Sequence, residues 1–317
     1  MDSTATLWMP PAQSTIAGEV DALFYFIFYV AMGFFFLVVL AALYFLIRYR
    51  RKGNEVGLTD GHDHNFKLEL IWTIIPTILV FIVFIWGFRT YLKMNVAPKG
   101  AIEIKVTGQK WFWSFDYPNG AVTLSELVVP AGRPVKLLLS SRDVIHSFYV
   151  PDFRIKMDAL PNRYTMLWFE AKNVGTYNLY CAEYCGTGHS TMLGKVTVLS
   201  VSDYEKWLAN AGAEKDAEVP LPELGKKVYT GKACMTCHTI DGTPSVGPTF
   251  KNVFGHTVEL SDGTTITIDE NYIRESVLKP QAKVVKGFAP VMPTFQGLLS
   301  NREIDGIIAY IKTLSEQ

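Results

Sequence analysis

The chain has 317 residues, in which 30 lysines and arginines balance 30 aspartates and glutamates. This length accommodates two or three domains, and the zero net charge argues against a nucleic-acid-binding protein. Hydrophobic residues make up 49% of the chain, but residues 22–47 and 70–88 carry no charged side chain at all. Each of these runs can cross a hydrocarbon core of roughly 30 Å. A wholly soluble protein is therefore excluded, and two transmembrane helices are predicted at about 20–47 and 68–92.

The charges that flank the two runs predict their orientation. The first 47 residues contain no lysine or arginine, whereas four of the next five residues are basic. By the positive-inside rule, residues 48–67 lie in the cytoplasm and the N-terminus lies outside. No later run is long enough to cross again, so everything that follows lies on the periplasmic or outer side of a bacterial plasma membrane. No basic segment precedes the first run, so a signal peptide was removed or the first span serves as one.

Residues 96–200 follow the two-residue period of β-strands. Ile102, Ile104 and Val106 alternate with polar residues, and further short apolar runs are separated by turn sequences such as Pro118-Asn119-Gly120. Many short strands with such turns are typical of a β-sandwich or barrel. A linker with a short helix is predicted over residues 201–221.

From residue 222 onwards the pattern is helical. Ser300 and Glu303 have the spacing of a capping box, which marks the start of a helix. The apolar residues from Ile304 to Leu314 that follow recur at helical spacing on one face. An all-α domain is predicted over residues 222–317.

Cys234-Met235-Thr236-Cys237-His238 has the C-x-x-C-H pattern of c-type haem attachment. The two thiols can add to the two vinyl groups of one haem, and the adjacent imidazole can bind its iron. A zinc site would need two more thiol or imidazole ligands nearby, and a thioredoxin-like motif would need a βαβ setting; the sequence indicates neither. Met292 and His256 remain as candidates for the sixth ligand, and a Met/His pair would raise the haem potential.

A second group of soft ligands lies upstream. Cys181, Cys185, His189 and Met192 fall within twelve residues, and His146 precedes them by 35 residues. Thiolate, thioether and imidazole ligands select copper over magnesium, calcium or manganese. One cysteine with two histidines and a methionine would bind one copper, whereas the second cysteine can bridge a second metal. A disulfide would explain neither the histidine nor the methionine, although it is expected of copper-free protein in an oxidising compartment.

The pattern C-x-E-x-C-x-x-x-H-x-x-M, preceded by His146-Ser147-Phe148, resembles the CuA centre of cytochrome c oxidase subunit II. The segment 111–115, Trp-Phe-Trp-Ser-Phe, resembles the aromatic patch of that family, and residues 69–76 resemble the opening of its second helix. Residues 222–317 resemble a class I cytochrome c. The whole chain therefore resembles subunit II of a bacterial caa-type haem–copper oxidase, with a fused C-terminal cytochrome c domain.

The resemblance implies a multi-domain membrane protein. It comprises an N-terminal tail and a two-helix transmembrane hairpin over residues 1–95, and a cupredoxin-like β-sandwich or barrel over 96–200. The linker over 201–221 then leads to an all-α class I cytochrome c domain over 222–317.

The resemblance also implies the site residues. Haem c would be attached to Cys234 and Cys237, with His238 and Met292 as axial ligands. A dinuclear copper centre would be held by the residues that match the family's ligands: Cys181 and Cys185 as bridges, His146 and His189 with one copper each, and Met192 and the Glu183 carbonyl as weak ligands. The Glu183 carboxylate would also reach a magnesium ion at the boundary with subunit I.

Two further residues can each be explained in two ways, by a role known in the family or by an ordinary structural role. Trp111 matches the family's electron-entry tryptophan, but a buried core tryptophan is an equal alternative. Glu69 matches the mouth of a proton pathway, but a carboxylate is also favoured at any helix start by the helix dipole.

The implied function is that of the electron-entry subunit of a terminal oxidase, which is an oxidoreductase. This chain would have no oxygen-binding site of its own. Electrons from an external donor would pass through haem c and CuA to haem in subunit I, where oxygen reduction is coupled to proton translocation. The partners would be the integral membrane subunit I, other oxidase subunits and the donor: a cytochrome c, a small copper protein or a neighbouring respiratory complex. Two alternatives remain: a membrane-anchored electron donor to a nitrogen-oxide reductase, and a copper-handling protein.

Overall fold

The fold was analysed in a computed structural model, which describes residues 5–51, 64–211 and 219–315. Contacts divide the chain into two compact units: one comprises Ile16–Val96, and the other comprises Met1–Thr15 together with Ala97–Gln317. Residues 212–218 of the predicted linker and residues 52–63 of the predicted cytoplasmic loop lie outside the described residues. The proposed domain boundaries at residues 200 and 221 stay predictions.

The smaller unit consists of two long helices, α1 (Ala17–Arg48) and α2 (Phe66–Asn95). Both are long and apolar enough to cross a membrane, and each extends a few residues beyond its uncharged run. The helices contact each other through the rings of Phe26 and Trp86, whose centroids are 5.7 Å apart. Asn65 caps α2 by accepting a hydrogen bond from the backbone N–H of Leu68.

Ten strands form the β domain in the second unit. They are β1 (Ile102–Gln109), β2 (Phe112–Asp116), β3 (Val122–Leu124), β4 (Glu126–Pro130), β5 (Pro134–Ser141), β6 (His146–Val150), β7 (Ile155–Ala159), β8 (Thr165–Glu170), β9 (Gly175–Cys181) and β10 (Leu193–Leu199). One sheet has the order β3-β2-β1-β5-β8 and the other has the order β4-β10-β9-β6-β7. The predicted cupredoxin-like sandwich is confirmed.

The core of the sandwich is rich in aromatic residues. Trp113, Phe115, Phe148 and Phe169 are at most 1% exposed. Along β5 the side chains alternate between half-buried and buried, as expected of a strand that presents one face to a core. The segment before α1 is fastened to this domain, because Gln13 and Thr15 donate backbone hydrogen bonds to the carbonyls of Asp152 and Glu170.

The helix α3 (Val201–Asn210) follows the last strand and packs on the β domain. Ser200 caps it through the backbone N–H of Asp203. The rings of Tyr117 and Trp207 meet edge to face with centroids 4.9 Å apart, and the Asn119 amide donates to the Leu208 carbonyl at 2.7 Å. The start of the linker therefore has a fixed place on the β domain.

The C-terminal domain contains α4 (Leu221–Gly231), α5 (Glu270–Leu278) and α6 (Asn301–Thr313), with a small hairpin of β11 (Thr257–Glu259) and β12 (Thr265–Thr267). The capping box of Ser300 and Glu303 is confirmed at the start of α6. Helices α4 and α6 cross where Gly225 meets Gly306: a Cβ added to Gly225 would lie 1.9 Å from the Gly306 carbonyl oxygen. The all-α cytochrome c domain is confirmed.

Candidate copper and haem sites

Strand pairing brings the candidate copper ligands together. Cys181 is the last residue of β9 and His146 is the first residue of β6, and the two strands are paired with Phe148 opposite Cys181. The chain then turns through Cys185 and His189 before Met192 leads into β10. Five residues that are up to 46 positions apart thus reach one end of one sheet.

The side chains converge on one small volume. The two sulfur atoms of Cys181 and Cys185 are 3.8 Å apart, and both cysteines are free thiols. The Nδ1 atom of His146 lies 3.9 Å from the Cys181 sulfur, and the Nδ1 atom of His189 lies 3.6 Å from the Cys185 sulfur. The Met192 sulfur is 3.8 Å from the Cys185 sulfur. This donor set fits copper, because two sulfurs lie between two imidazoles and can each reach a shared metal.

The Glu183 carbonyl oxygen completes the group. It lies 3.3 Å from the Cys181 sulfur, whereas Met192 contacts the sulfur of Cys185. The side chain of Glu183 is exposed. The carbonyl oxygen of Glu183 can therefore belong to the copper site while its carboxylate contacts a different group.

The two thiols differ in acidity. Burial opposes ionisation of Cys181, but the His146 ring and nearby backbone groups outweigh it and lower its pKa to about 6. Burial, together with the negative charge on Cys181, raises the pKa of Cys185 to about 12. The copper-free site therefore holds one thiolate at neutral pH, and metal binding must displace the second proton.

Asp143 fixes the orientation of His146. Its carboxylate lies 2.8 Å from the His146 Nε2 atom and also accepts the backbone N–H groups of Lys110 and Val144. Burial alone would raise the pKa of Asp143, but these hydrogen bonds outweigh it and hold the pKa below its usual value. With Nε2–H donating to the carboxylate, loss of the Nδ1 proton leaves the Nδ1 lone pair beside Cys181, where it can bind a metal.

Trp111 lies against the copper loop. It is 4% exposed, and its indole Nε1–H donates to the Cys185 carbonyl at 3.1 Å. A Cβ added to Gly188 would lie 2.4 Å from the ring, so only glycine allows this approach. The burial of Trp111 agrees with a role as a core residue, but Trp111 also contacts the predicted copper ligand Cys185.

The C-x-x-C-H residues line a cavity with an empty volume of about 1040 Å³, its mouth included. Cys234, Cys237, His238 and Met292 all face this space. Its walls are mainly apolar, as is usual for cofactor pockets. The chemistry of these donors and the size of the space fit a covalently attached haem.

The position of His238 is determined by three neighbours. Its Nδ1–H donates to the Pro248 carbonyl at 2.7 Å, which leaves Nε2 as the free ligand atom. The Phe250 ring stacks on the imidazole at 4.5 Å, and a Cβ added to Gly247 would lie 2.7 Å from its Cε1 atom. Burial lowers the pKa of His238, which favours the neutral imidazole that binds a metal.

The segment that contains Met292 is fastened to the end of α5. The Gln281 amide donates to the carbonyls of Pro290 and Met292 at 2.9 and 3.2 Å, and the Ser276 hydroxyl points to the Met292 sulfur at 3.9 Å. By contrast, His256 is exposed and does not line the cavity. Of the two candidates for the sixth ligand, Met292 is the one that faces His238's pocket.

The β domain supplies part of the haem pocket. Trp111 and Phe112 line the same cavity as the C-x-x-C-H residues. The Phe112 ring stacks on Phe295 of the cytochrome domain, with centroids 5.6 Å apart and planes 11° apart. Cys237 packs against the apolar cluster to which Trp111 belongs.

Glu69 lies in the first turn of α2, where its carboxylate is 2.6 Å from the His64 Nδ1 atom. This position agrees with both explanations offered for it.

Three contributors to these sites were not predicted. Asp143 precedes His146 by three residues and Ser276 lies on a helix, so neither belongs to a ligand pattern. The stack of Phe112 on Phe295 joins residues far apart in sequence. The one signal in the sequence for this contact is the aromatic character of residues 111–115, which is unusual for a strand at the surface of a domain.

Comparison with known proteins agrees with this architecture. The family model of the cytochrome c oxidase subunit II transmembrane domain matches residues 2–90, that of its periplasmic domain matches residues 122–199, and that of cytochrome c matches residues 222–315. A cytochrome c oxidase subunit 2 of Alkalihalophilus pseudofirmus is 32% identical over 288 residues, which cover 87% of this chain and 82% of the relative. The chain belongs to the cytochrome c oxidase subunit II family.

A subunit 2 of Thermostichus vulcanus is 31% identical over 269 residues, which cover 68% of this chain and 82% of that relative. Among solved structures, the periplasmic domain of subunit II of the Bradyrhizobium japonicum cytochrome oxidase is 30% identical. It covers 37% of this chain and 97% of that structure, with a TM-score of 0.36.

Membership of this family establishes the general role of the chain. It is a membrane-anchored subunit II with a cytochrome c domain, and it serves electron transfer in a haem–copper oxidase, which is an oxidoreductase. Its domains imply binding of copper and haem c. Subunit I and the other oxidase subunits are its partners in the membrane.

Proposed function

We propose that this chain is the electron-entry subunit of its oxidase. It accepts electrons from an external donor at haem c and passes them to a dinuclear CuA centre. From there they reach haem in subunit I, where oxygen reduction is coupled to proton translocation. The observation that carries this proposal is the position of Trp111, which contacts a copper-site residue and lines the haem pocket at the same time.

The copper pair would be held between Cys181 and Cys185, with His146 and His189 at opposite ends. The 3.8 Å separation of the sulfurs supports a bridging role, since the thiols are close without being joined. Met192 and the Glu183 carbonyl would be weak ligands of one copper each. Such a pair would share one electron between two metals, and the buried, pre-oriented ligands would limit structural change on transfer.

The haem would be attached through Cys234 and Cys237 and held by His238 and Met292. Burial raises the pKa of Cys234 to about 12 and that of Cys237 to about 11, so both remain thiols before attachment. Pro248 and Phe250 orient the imidazole, and Gln281 fixes the segment with the thioether. A Met/His ligand pair favours the high potential that suits an electron carrier.

Trp111 provides the contact between the two sites. Its ring lies in the wall of the haem pocket, and its Nε1–H binds the carbonyl of Cys185. Trp111 would therefore link the wall of the haem pocket to a copper-site residue through one hydrogen bond. The absence of a Cβ at Gly188 allows that ring to lie against the loop.

Three further assignments complete the proposal. Residues 48–67 would be cytoplasmic, with both metal domains on the outer side, as the basic residues after α1 indicate. The exposed Glu183 carboxylate is free to reach a magnesium ion at the boundary with subunit I. Glu69, at the start of α2, would mark the entrance of a proton pathway into subunit I.

Electron paramagnetic resonance of the oxidised, detergent-solubilised full chain tests the copper assignment. We expect a hyperfine pattern with more lines than one copper nucleus can produce, because the unpaired electron is shared by two nuclei. The variant Cys185→Ser should lose this pattern and keep the haem absorbance. The variant Tyr164→Ala is the control, since its side chain is 70% exposed and lies outside the copper loop.

A single-nucleus pattern in the unmodified chain would contradict a dinuclear centre. A single copper that is removed easily by a chelator would favour copper handling instead. Reduction of the haem by a donor, followed by reduction of copper, is the second expected result; its absence in the intact complex would overturn the electron path.

A further inference from the structure

Phe112 occupies an unusual position for a strand residue of the β domain. Its neighbours in the sequence, Trp111 and Trp113, belong to the apolar cluster of the β domain. Side chains alternate between the two faces of a strand. Within β2, Phe112 therefore points to the face opposite that of Trp113. It belongs instead to the apolar cluster of the cytochrome domain, where it is 2% exposed.

Leu124 accompanies Phe112 in that cluster and is 3% exposed. It lies on β3, which is the edge strand of its sheet and pairs with β2. The surface formed by Phe112 and Leu124 is therefore an apolar patch of the β domain that is covered by the cytochrome domain. Without that cover it would be a large exposed hydrophobic surface next to Trp111.

The cytochrome domain is complementary to this patch. Phe295 stacks on Phe112 with nearly parallel rings, and its backbone N–H is bonded to the Val277 carbonyl at the end of α5. Val246 and Val291 of the cytochrome domain pack against the cluster that contains Trp111. Phe295 follows Met292 by three residues, so the docking contact and the axial ligand share one short segment.

We propose that Phe112 is the residue that docks the cytochrome domain on the copper domain in the orientation needed for electron transfer. Phe112 is a positioning residue: it acts by holding Trp111 against the haem pocket, and Phe295 is its partner. This inference rests on the proposed electron path. In the docked state Trp111 is closed to an external donor, so that donor must deliver its electron to the cytochrome domain.

The transfer that docking controls needs no further reactant. One electron leaves the reduced haem iron and reduces the copper pair. Burial of one phenylalanine side chain corresponds to about a 10- to 100-fold change in an equilibrium constant. We therefore expect Phe112→Ala to lower the docking equilibrium constant by about that factor.

The first measurement is hydroxyl-radical oxidation of side chains in the full chain within the oxidase complex. In Phe112→Ala and in Phe295→Ala, Trp111 and Leu124 should be oxidised faster than in the unmodified chain, because each is less than 5% exposed when docked. Trp113, which is 0% exposed in the β-domain core, should stay protected and so shows that this domain remains folded.

The second measurement follows absorbance after rapid single-electron reduction of the haem. Both variants should leave the copper spectrum unchanged and slow the reduction of copper by more than the measured change in the haem midpoint potential accounts for, since both side chains also line the haem pocket. The double variant should be no slower than either single one, because both remove the same contact. Phe112→Leu should recover part of the rate, and Tyr164→Ala, an exposed aromatic position of the same domain, should change nothing.

The outcomes separate this inference from the proposed function. If the unmodified chain reduces haem but never passes the electron to copper, the electron path itself is wrong. If the unmodified chain transfers the electron, and the Phe112 and Phe295 variants leave both oxidation and rate unchanged, the docking role is wrong. If Phe112→Ala loses copper, the docking role is tested with Phe295→Ala alone, because that substitution lies in the cytochrome domain.

Discussion

One carboxylate organises several groups around the copper site. Asp143 binds the ring of His146 and the backbone N–H of Lys110, the residue directly before Trp111. A metal-binding imidazole usually needs such a partner to fix its tautomer and ring orientation. At the scale of single residues, Asp143 therefore links a predicted copper ligand to the start of the aromatic segment.

Replacing this carboxylate should weaken copper binding. We expect Asp143→Ala to lower copper affinity by about 10- to 100-fold, because the His146 ring loses the group that orients it. Competition with a chelator of known affinity measures the effect. Asp143→Asn is the control, since an amide oxygen can still accept the ring N–H and should retain much of the affinity. Equal affinities in all three proteins would contradict the orienting role.

A second carboxylate in the β domain affects stability rather than metal binding. Asp158 accepts a hydrogen bond from the Ser147 hydroxyl at 2.6 Å and pairs with Lys156 at 3.0 Å. The hydrogen bond from Ser147, followed by that from Lys156, lowers the pKa of Asp158. The unfolded chain therefore binds the proton at a higher pH than the folded chain does.

This difference predicts a pH-dependent effect of Asp158→Asn. The stabilisation is fully present above the unfolded pKa of about 3.9 and is lost as the pH falls through the lower, folded pKa. Because the carboxylate is half exposed, we expect a cost of only about 0.5 kcal/mol at pH 7. Chemical denaturation at pH 7 and near pH 3 measures it; a difference that stayed constant between these pH values would contradict the assignment.

At the scale of elements, the crossing of α4 and α6 depends on two glycines. The backbones approach so closely at Gly225 and Gly306 that a Cβ at position 225 would overlap the opposite carbonyl. Ile304, Ile307 and Ile311 then lie buried along α6. This helix pair supports the pocket, because Ile307 lines it and Tyr229 of α4 donates to the His238 carbonyl at 2.8 Å.

The close approach predicts opposite results for two glycines of the same helix. Gly225→Ala should destabilise the cytochrome domain by about 3 kcal/mol or more, since backbone cannot move aside as a side chain can. Gly231→Ala meets nothing within 4 Å and should be neutral or stabilising by up to about 1 kcal/mol. Thermal unfolding followed by haem absorbance compares them, and similar melting temperatures would contradict the crossing.

At the scale of the whole molecule, the copper domain and the cytochrome domain share one boundary. Trp111 and Phe112 are consecutive, yet one packs in the β-domain cluster and the other in the cytochrome cluster. Trp111 lies in the turn before β2 and packs against the copper loop, whereas Phe112 begins β2 and points to the face opposite that of Trp113. Two adjacent residues therefore provide the proposed electron contact and the proposed docking contact.

This arrangement predicts a selective effect of Trp111→Phe in the intact complex. The ring remains aromatic, but the hydrogen bond to the Cys185 carbonyl is lost. Electron delivery from an external donor to haem should continue at an unchanged rate, whereas transfer from haem to copper should slow. Rapid-mixing absorbance separates the two steps. An unchanged second step would show that Trp111 is only a core residue, the alternative that its burial also allows.

The features that could be predicted from the sequence are those whose signals are local. Uncharged runs of 26 and 19 residues predict the two spans, since a bilayer admits little else. Strand alternation, the Ser300 capping box and the C-x-x-C-H motif each lie within a few residues, and so do Cys181, Cys185, His189 and Met192. The fold class and the cofactor classes therefore follow from the sequence and its family resemblance.

Contacts between residues that are distant in the sequence became visible only in the folded chain. The pairing of β6 with β9 brings His146 to Cys181, and the turn before β6 places Asp143 against His146. The contact of Phe112 with Phe295 joins residues 183 positions apart and closes Trp111 against the haem pocket. Such contacts follow from sheet topology and from burial of apolar surface between domains, which are properties of the folded chain and leave no periodic pattern in the sequence.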